Sequence, residues 1–244
     1  LQTGETHSCY HPQPHKIPLS ELADNPSALH NTTQKKEERK LMLDGGKPEG
    51  CRYCWNIEEM GPDYISDRHI RNSSIFTEER YEQCSKGNWQ QNINPEYIEI
   101  NFGNECNFKC GYCHPKYSTS FYKEIEKFGP VTEVKNHRCD IDWMKLYQRE
   151  EENPYVDAFW EWWPELRKTL NIIRITGGEP LLTKETFRSI DWFIDNPNKD
   201  LEFSINTNLC APQKLWDKFV EQVDLLVHSN SVGKFTVFTS VDGW

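Results

Sequence analysis

The feature that most constrains this chain is a cysteine triad. Cys106, Cys110 and Cys113 are spaced C-x3-C-x2-C within IEINFGNECNFKCGYCHP. The triad follows EYIEINF, in which Ile98, Ile100 and Phe102 alternate with polar neighbours, the period of a β-strand. A predicted strand therefore runs straight into the first cysteine. Three thiolates on one short loop can hold three irons of a cubane cluster and leave the fourth iron open. A cluster with an open iron is a reaction centre, whereas one with four cysteine ligands is usually an electron carrier. Thiolates at short spacing also suit Zn2+, so the triad alone leaves a zinc site open.

The other cysteines narrow the setting. The chain has 9 cysteines, an odd number gathered mainly in two tight groups, which argues against a secreted disulfide framework. Metal or cluster ligation in a reducing cytoplasm is the expectation. The formal net charge of −10 disfavours a general nucleic-acid-binding surface. No apolar run reaches membrane-spanning length and no signal peptide is visible. With 13% aromatic residues, including 9 Trp, the sequence is that of a folded protein although it is polar on average. Its 244 residues can form one large domain or two small ones. Both ends read as cuts through structure, so a fragment or processed chain is expected.

Residues 1–90 are loop-rich, with one predicted helix over 33–43 that Gly45-Gly46 stops. So little apolar periodicity predicts a small module stapled by metal. From residue 93 the pattern changes. NIIRITGGEPLL, LEFSINTNL and FTVFTSVDGW each join a strand-like run to a polar loop, with helices expected over 183–195 and about 212–222. Alternating strand, loop and helix predicts an α/β fold with a parallel sheet or barrel. The long connection 115–170 carries Val156, Phe159, Trp160 and Trp163 at helical spacing, which predicts a packed helix that Pro164 should break, with a substrate-facing aromatic wall as the alternative.

Two strand-end motifs add chemistry to the triad. Gly177-Gly178-Glu179-Pro180 follows the strand IIRIT; paired glycines permit close approach of a ligand to backbone, and the carboxylate suits an ammonium group. Ser240-Val241-Asp242-Gly243 ends a later strand, where Ser240 and Asp242 at i and i+2 share a face and suit sugar hydroxyls. In this order, CNFKCGYC, GGEP and SVDG resemble the radical S-adenosylmethionine (SAM) enzymes over residues 93–244. The resemblance implies a partial (β/α)6 barrel with its site at the carboxyl ends of the strands. It implies that Cys106, Cys110 and Cys113 bind a 4Fe-4S cluster whose open iron takes the amino and carboxylate groups of SAM. Tyr112 would lie near the adenine, Gly177, Gly178 and Glu179 at the methionine amino end, and Ser240 and Asp242 at the ribose. Ser204, Asn206 and Asn208 are further candidates for lining the cavity. The implied reaction is one-electron reductive cleavage of SAM to a 5′-deoxyadenosyl radical that abstracts a substrate hydrogen. The family pattern has six strands, and this chain is expected to stop after the fourth.

Gly4-x4-Cys9 followed by Cys51-x2-Cys54 resembles part of a SPASM or twitch module, here placed before the core. This resemblance implies an auxiliary iron–sulfur cluster over residues 1–90, with Cys84 or an upstream cysteine as its fourth ligand. Zinc at Cys9, Cys51, Cys54 and Cys84 is the alternative. Cys139 and Cys210 read as packing or incidental thiols, and His114 as structural. The expected partners are a one-electron reductant such as flavodoxin or ferredoxin and a peptide or small-molecule substrate. A radical SAM nucleoside or RNA modification enzyme, and a zinc-stabilised non-catalytic binding module, are the competing functions.

Overall fold

The computed structural model describes residues 1–75, 77–130 and 153–241. The chain divides into two compact units: Gly4–Glu96 with Asp157–Thr169, and Leu1–Thr3 with Tyr97–Val156 and Leu170–Trp244.

The first unit opens with a two-stranded antiparallel ribbon, β1 (Glu5–Thr6) and β2 (His15–Lys16). Five short helices follow: α1 (Leu19–Leu22), α2 (Thr33–Leu43), α3 (Arg52–Glu59), α4 (Asp67–Ile75) and α5 (Glu78–Lys86). Only α2 was expected. Its boundary is set by Thr32, whose hydroxyl accepts from Lys35 N at 3.2 Å and thereby satisfies one orphan amide of the first turn. The segment Asp157–Thr169 belongs to this unit and adds apolar side chains to it. Phe159, Trp162, Trp163 and Leu166 are buried, as are Ile17, Leu29 and Ile93 of the same unit. Trp162 Nε1 donates to Asn94 Oδ1 at 3.1 Å, Asn94 Nδ2 to Glu165 O at 3.1 Å, and Thr169 Oγ1 to Pro95 O at 3.2 Å. These bonds satisfy polar groups that burial would otherwise leave unpaired.

The second unit is built on a four-stranded, wholly parallel sheet, β3 (Tyr97–Asn101), β4 (Ile172–Thr176), β5 (Asn198–Thr207) and β6 (Val232–Thr239), in sequential order. Its described helices are α6 (Thr119–Phe128), α8 (Lys184–Asp195) and α9 (Gln213–His228). Between them in sequence, α7 (Pro154–Leu166) runs through Pro164 without a break, contrary to expectation. The proline lies in the last turn, so its missing N–H and its ring disturb only the end of the helical ladder. The mixed α/β class and the parallel sheet agree with expectation, and among the described residues the sheet has these four strands.

Parallel sheets usually bury both faces. Here the register separates two unlike faces. Ile100, Ile173, Ile175, Phe203 and Ile205 share the buried face, and Phe203 meets Phe193 of α8 at 5.1 Å between ring centroids. Each such side chain, fully buried, contributes roughly 1.5–3 kcal/mol. The other face carries Tyr97, Glu99, Arg174, Thr176, Ser204, Asn206, Thr236 and Phe238. Among the described residues, no helix is long and apolar enough to cross a membrane.

Lys35 gives the first unit a pH signature. The residue is 9% exposed, its ammonium donates to Thr6 Oγ1 at 2.7 Å and His7 O at 3.2 Å, and burial pushes its pKa down to about 8. Between about 8 and its ordinary value near 10.5, the unfolded chain holds the proton that the fold sheds. Stability should therefore rise with pH across that window, and the contribution is lost again as pH falls through about 8. The full swing is about 3 kcal/mol. Urea denaturation should show this rise in the parent and its loss in Lys35→Met.

Candidate active site

The carboxyl end of β3 leads into the cysteine loop, and the loop folds back onto the start of α6. Cys106 N donates to Thr119 Oγ1 at 3.3 Å, Ser120 N to Cys106 O at 3.2 Å, and Cys113 N to Cys110 O at 2.9 Å. Ser118 caps α6 by accepting from Phe121 N at 3.2 Å, and its hydroxyl donates to Phe108 O at 2.5 Å. One side chain thus starts the helix and pins the middle of the loop. All three thiols are free and partly buried. Burial pushes the Cys106 and Cys113 thiols up; Glu179 and Cys110 add to the shift at Cys106, and Cys106 and Cys110 to that at Cys113. Such thiols gain most from a soft, positively charged partner that takes the thiolate.

The GGEP turn lies directly against this loop. Gly178 N donates to Gly103 O at 3.1 Å and Glu179 N to Glu105 O at 2.6 Å. A Cβ on Gly178 would sit 2.3 Å from Glu105 O, and one on Gly177, at φ +123°, would sit 2.5 Å from Asn101 Oδ1. The close approach that these glycines permit is thus made by the chain's own backbone leading to Cys106.

Glu179 is 1% exposed. Its Oε1 accepts from Thr207 Oγ1 at 2.6 Å and Leu181 N at 2.9 Å, and its Oε2 from Asn208 N at 2.7 Å. A carboxylate has about four acceptor positions, so Oε2 retains one. Asn101 Oδ1, beside Gly177, is buried and has no hydrogen-bond partner among the described residues. The edge therefore offers acceptors of the kind an ammonium group needs, and the loop offers three soft sulfurs. On these two observations the residues fit a cluster with an amino-acid ligand.

The other candidates fall as follows. Ser240 N donates to Thr207 O at 2.9 Å, which places Ser240 beside the end of β5. Tyr112 is 70% exposed. Asn206 Oδ1 accepts from Arg174 Nε at 2.8 Å, and Ser204 Oγ points to Ile173 O at 3.5 Å. His114 Nδ1 accepts from Lys116 N at 3.1 Å, a local cap. Cys210 is exposed. Asp242 and Cys139 lie outside the described residues.

In the first unit, Cys51 precedes α3 and Cys54 sits buried in its first turn, so C-x2-C places both at one helix end. Burial pushes the Cys9 and Cys51 thiols up; Cys54 raises both, and Cys9 also raises Cys51. The three are thus electrostatic neighbours. His11 Nε2 lies 2.6 Å from Asp67 Oδ2, its ring stacks on Tyr53 at 4.0 Å, and Tyr10 also bonds Asp67, which anchors the Cys9 loop. Cys84 acts instead on Arg39. Among the described residues, no three His, Cys, Asp or Glu side chains converge as ligands of one metal ion.

Two residues of the polar face escaped the sequence reading. Arg174 stacks over Phe238 at 4.7 Å and forms no ion pair among the described residues. Glu99, opposite it in register, accepts from Tyr97 OH at 3.2 Å and Thr176 Oγ1 at 3.4 Å. The signal was strict alternation, YIEIN and IIRIT, in strands of a parallel sheet.

No protein-family model matches the chain, and no solved structure matches it. The chain is similar to curated proteins named GTP 3′,8-cyclase. That of Helicobacter pylori strain ATCC 700392 / 26695 is 28% identical over 116 residues, 46% of this chain and 27% of that protein. That of strain J99 / ATCC 700824 is 27% identical over 123 residues, 49% of this chain and 29% of that protein. The matched stretch thus spans under a third of those relatives' length. At the level of superfamily, this weak similarity supports the radical SAM resemblance.

Replacing Glu179 by Gln should destabilise the second unit by about 1–3 kcal/mol, because an amide turns one buried acceptor toward donors. Urea denaturation of the two proteins measures it; equal midpoints would mean that the carboxylate is not what joins these loops.

Proposed function

We propose that this chain is a radical SAM enzyme, with the cluster on Cys106, Cys110 and Cys113 and SAM along the GGEP edge. One observation carries the reading: a three-thiol loop is clasped, backbone to backbone, to a turn that holds buried Glu179 and lies beside the buried Asn101 Oδ1. The weak similarity to GTP 3′,8-cyclases supports the same class. When bound, the cluster and SAM supply one-electron reductive cleavage and hydrogen abstraction from a substrate. The chain's residues do the rest. Asn101 Oδ1 and Glu179 Oε2 accept from the ammonium group, Tyr112 meets the adenine, and Ser240 and Asp242 meet the ribose. Asn206 lines the cofactor's side of the cavity, and the polar face of the sheet around Ser204 holds the substrate. Cys9, Cys51 and Cys54 carry an auxiliary iron–sulfur cluster in a SPASM/twitch-like module, and a flavodoxin- or ferredoxin-type protein is the reductant.

Anaerobic reconstitution with iron and sulfide should give a brown protein that converts SAM to 5′-deoxyadenosine, and Cys110→Ala should abolish that product. Stoichiometric zinc with no such colour, or product formation that survives the substitution, would refute the reading.

A peptide or protein side chain is the substrate that the auxiliary module favours. A nucleotide is the second reading, favoured by the relatives' name and by Arg174, a cation on the polar face that forms no ion pair among the described residues and donates to Asn206 Oδ1. Arg174→Gln should weaken GTP binding, measured by equilibrium dialysis, by about tenfold or more, since a hydrogen bond to a charged group contributes about 1.5–3 kcal/mol. Absence of GTP binding by the parent, or equal binding by the variant, would remove the nucleotide reading.

A further inference from the structure

The hydrogen bonds at the end of β5 converge on one cysteine sulfur. Asn208 Nδ2 lies 3.2 Å from Asn107 Oδ1 and 4.0 Å from Cys106 Sγ, donating toward each. An amide has two N–H groups, one for each acceptor. Asn208 Oδ1 accepts from Cys210 N at 2.8 Å, and Asn208 N donates to Glu179 Oε2 at 2.7 Å. Asn107 Nδ2 returns to Cys210 O at 2.6 Å. Every polar group of the Asn208 side chain therefore has a partner in the turn or the cysteine loop. Rotating it away from the sulfur would break the turn.

We propose that Asn208 is a positioning residue that sets the reduction potential of the cluster on Cys106, Cys110 and Cys113 through an N–H···S bond to Cys106. The inference rests on the cluster reading above. Hydrogen bonds to ligating sulfurs stabilise the more electron-rich state and so raise the potential of an iron–sulfur cluster. The couple is simple: the oxidised cluster takes one electron from a flavodoxin- or ferredoxin-class reductant, with no bond or proton exchanged. Asn208 makes that electron easier to accept. Cys106 is the ligand through which the loop after β5, and therefore Glu179, reaches the cluster.

The test is an EPR-monitored redox titration of the reconstituted protein. Asn208→Asp keeps the acceptor for Cys210 N but removes the donor, and Asn208→Leu removes the donor without adding charge. Both should titrate at a more negative midpoint than the parent with unchanged iron and sulfide content, the aspartate furthest. Both should also lose an exchangeable-proton hyperfine coupling, seen as a difference after transfer to deuterated buffer. A purely structural Asn208 would leave the midpoint and the coupling of Asn208→Leu as in the parent, and that outcome overturns the proposal. Should a variant fail to hold a cluster, the parent grown with isotope-labelled asparagine decides: no coupling to asparagine nitrogen or its exchangeable proton overturns it. If the parent itself forms no cluster, the cluster reading falls as well. If it does and the variants match it, only the role of Asn208 falls.

Discussion

The candidate site depends on a backbone clasp. Gly177 and Gly178 lie so close to residues 101–105 that no Cβ can intervene, and two amides of the turn bond carbonyls of the segment that leads to Cys106. A clasp made of main chain has little freedom to slide. It fixes the cysteine loop relative to β4, and Glu179 extends the connection to β5 through Thr207 and Asn208. Three strand ends are thus tied at one edge, where a parallel α/β sheet offers its binding crevice.

The same bonds change what Glu179 is for. A carboxylate in a GGEP turn invites a reading as a bare ligand contact, yet this one is buried and already accepts three hydrogen bonds. Its charge is held in place by donors from two loops, which is what makes its remaining acceptor position directional. Glu179 is therefore an architectural residue of this edge, and Asn101, whose Oδ1 has no hydrogen-bond partner among the described residues, stands beside Gly177.

What the sequence disclosed follows the range of the interactions. Strands at 97–101 and 172–176 and helices at 33–43 and 184–195 were legible, because period and caps are local signals. The short helices α1, α3, α4 and α5 were missed, since stretches of four to nine residues carry weak periodicity. Phe159 and Trp163 were legible as helix packing, whereas Val156 and Trp160, expected with them, are only half-buried and Trp162 is buried instead; the segment's membership of the first unit rests on bonds such as Trp162 to Asn94, 68 positions apart. The triad and the glycine pair were visible as motifs. That the glycines receive the cysteine loop's own backbone, and that Arg174 stacks on Phe238, depends on pairing that spans more than 60 residues. Asp242 remains an expectation from the motif, outside the described residues.

The claim at the centre of this account is that the triad holds a cluster with an open iron that takes SAM. EPR of the reconstituted, reduced protein tests it most directly. Adding SAM should change the g-values of the reduced cluster, because a ligand joins the iron that no cysteine binds. A spectrum that is the same with and without SAM, in a protein carrying the full complement of iron, would contradict it.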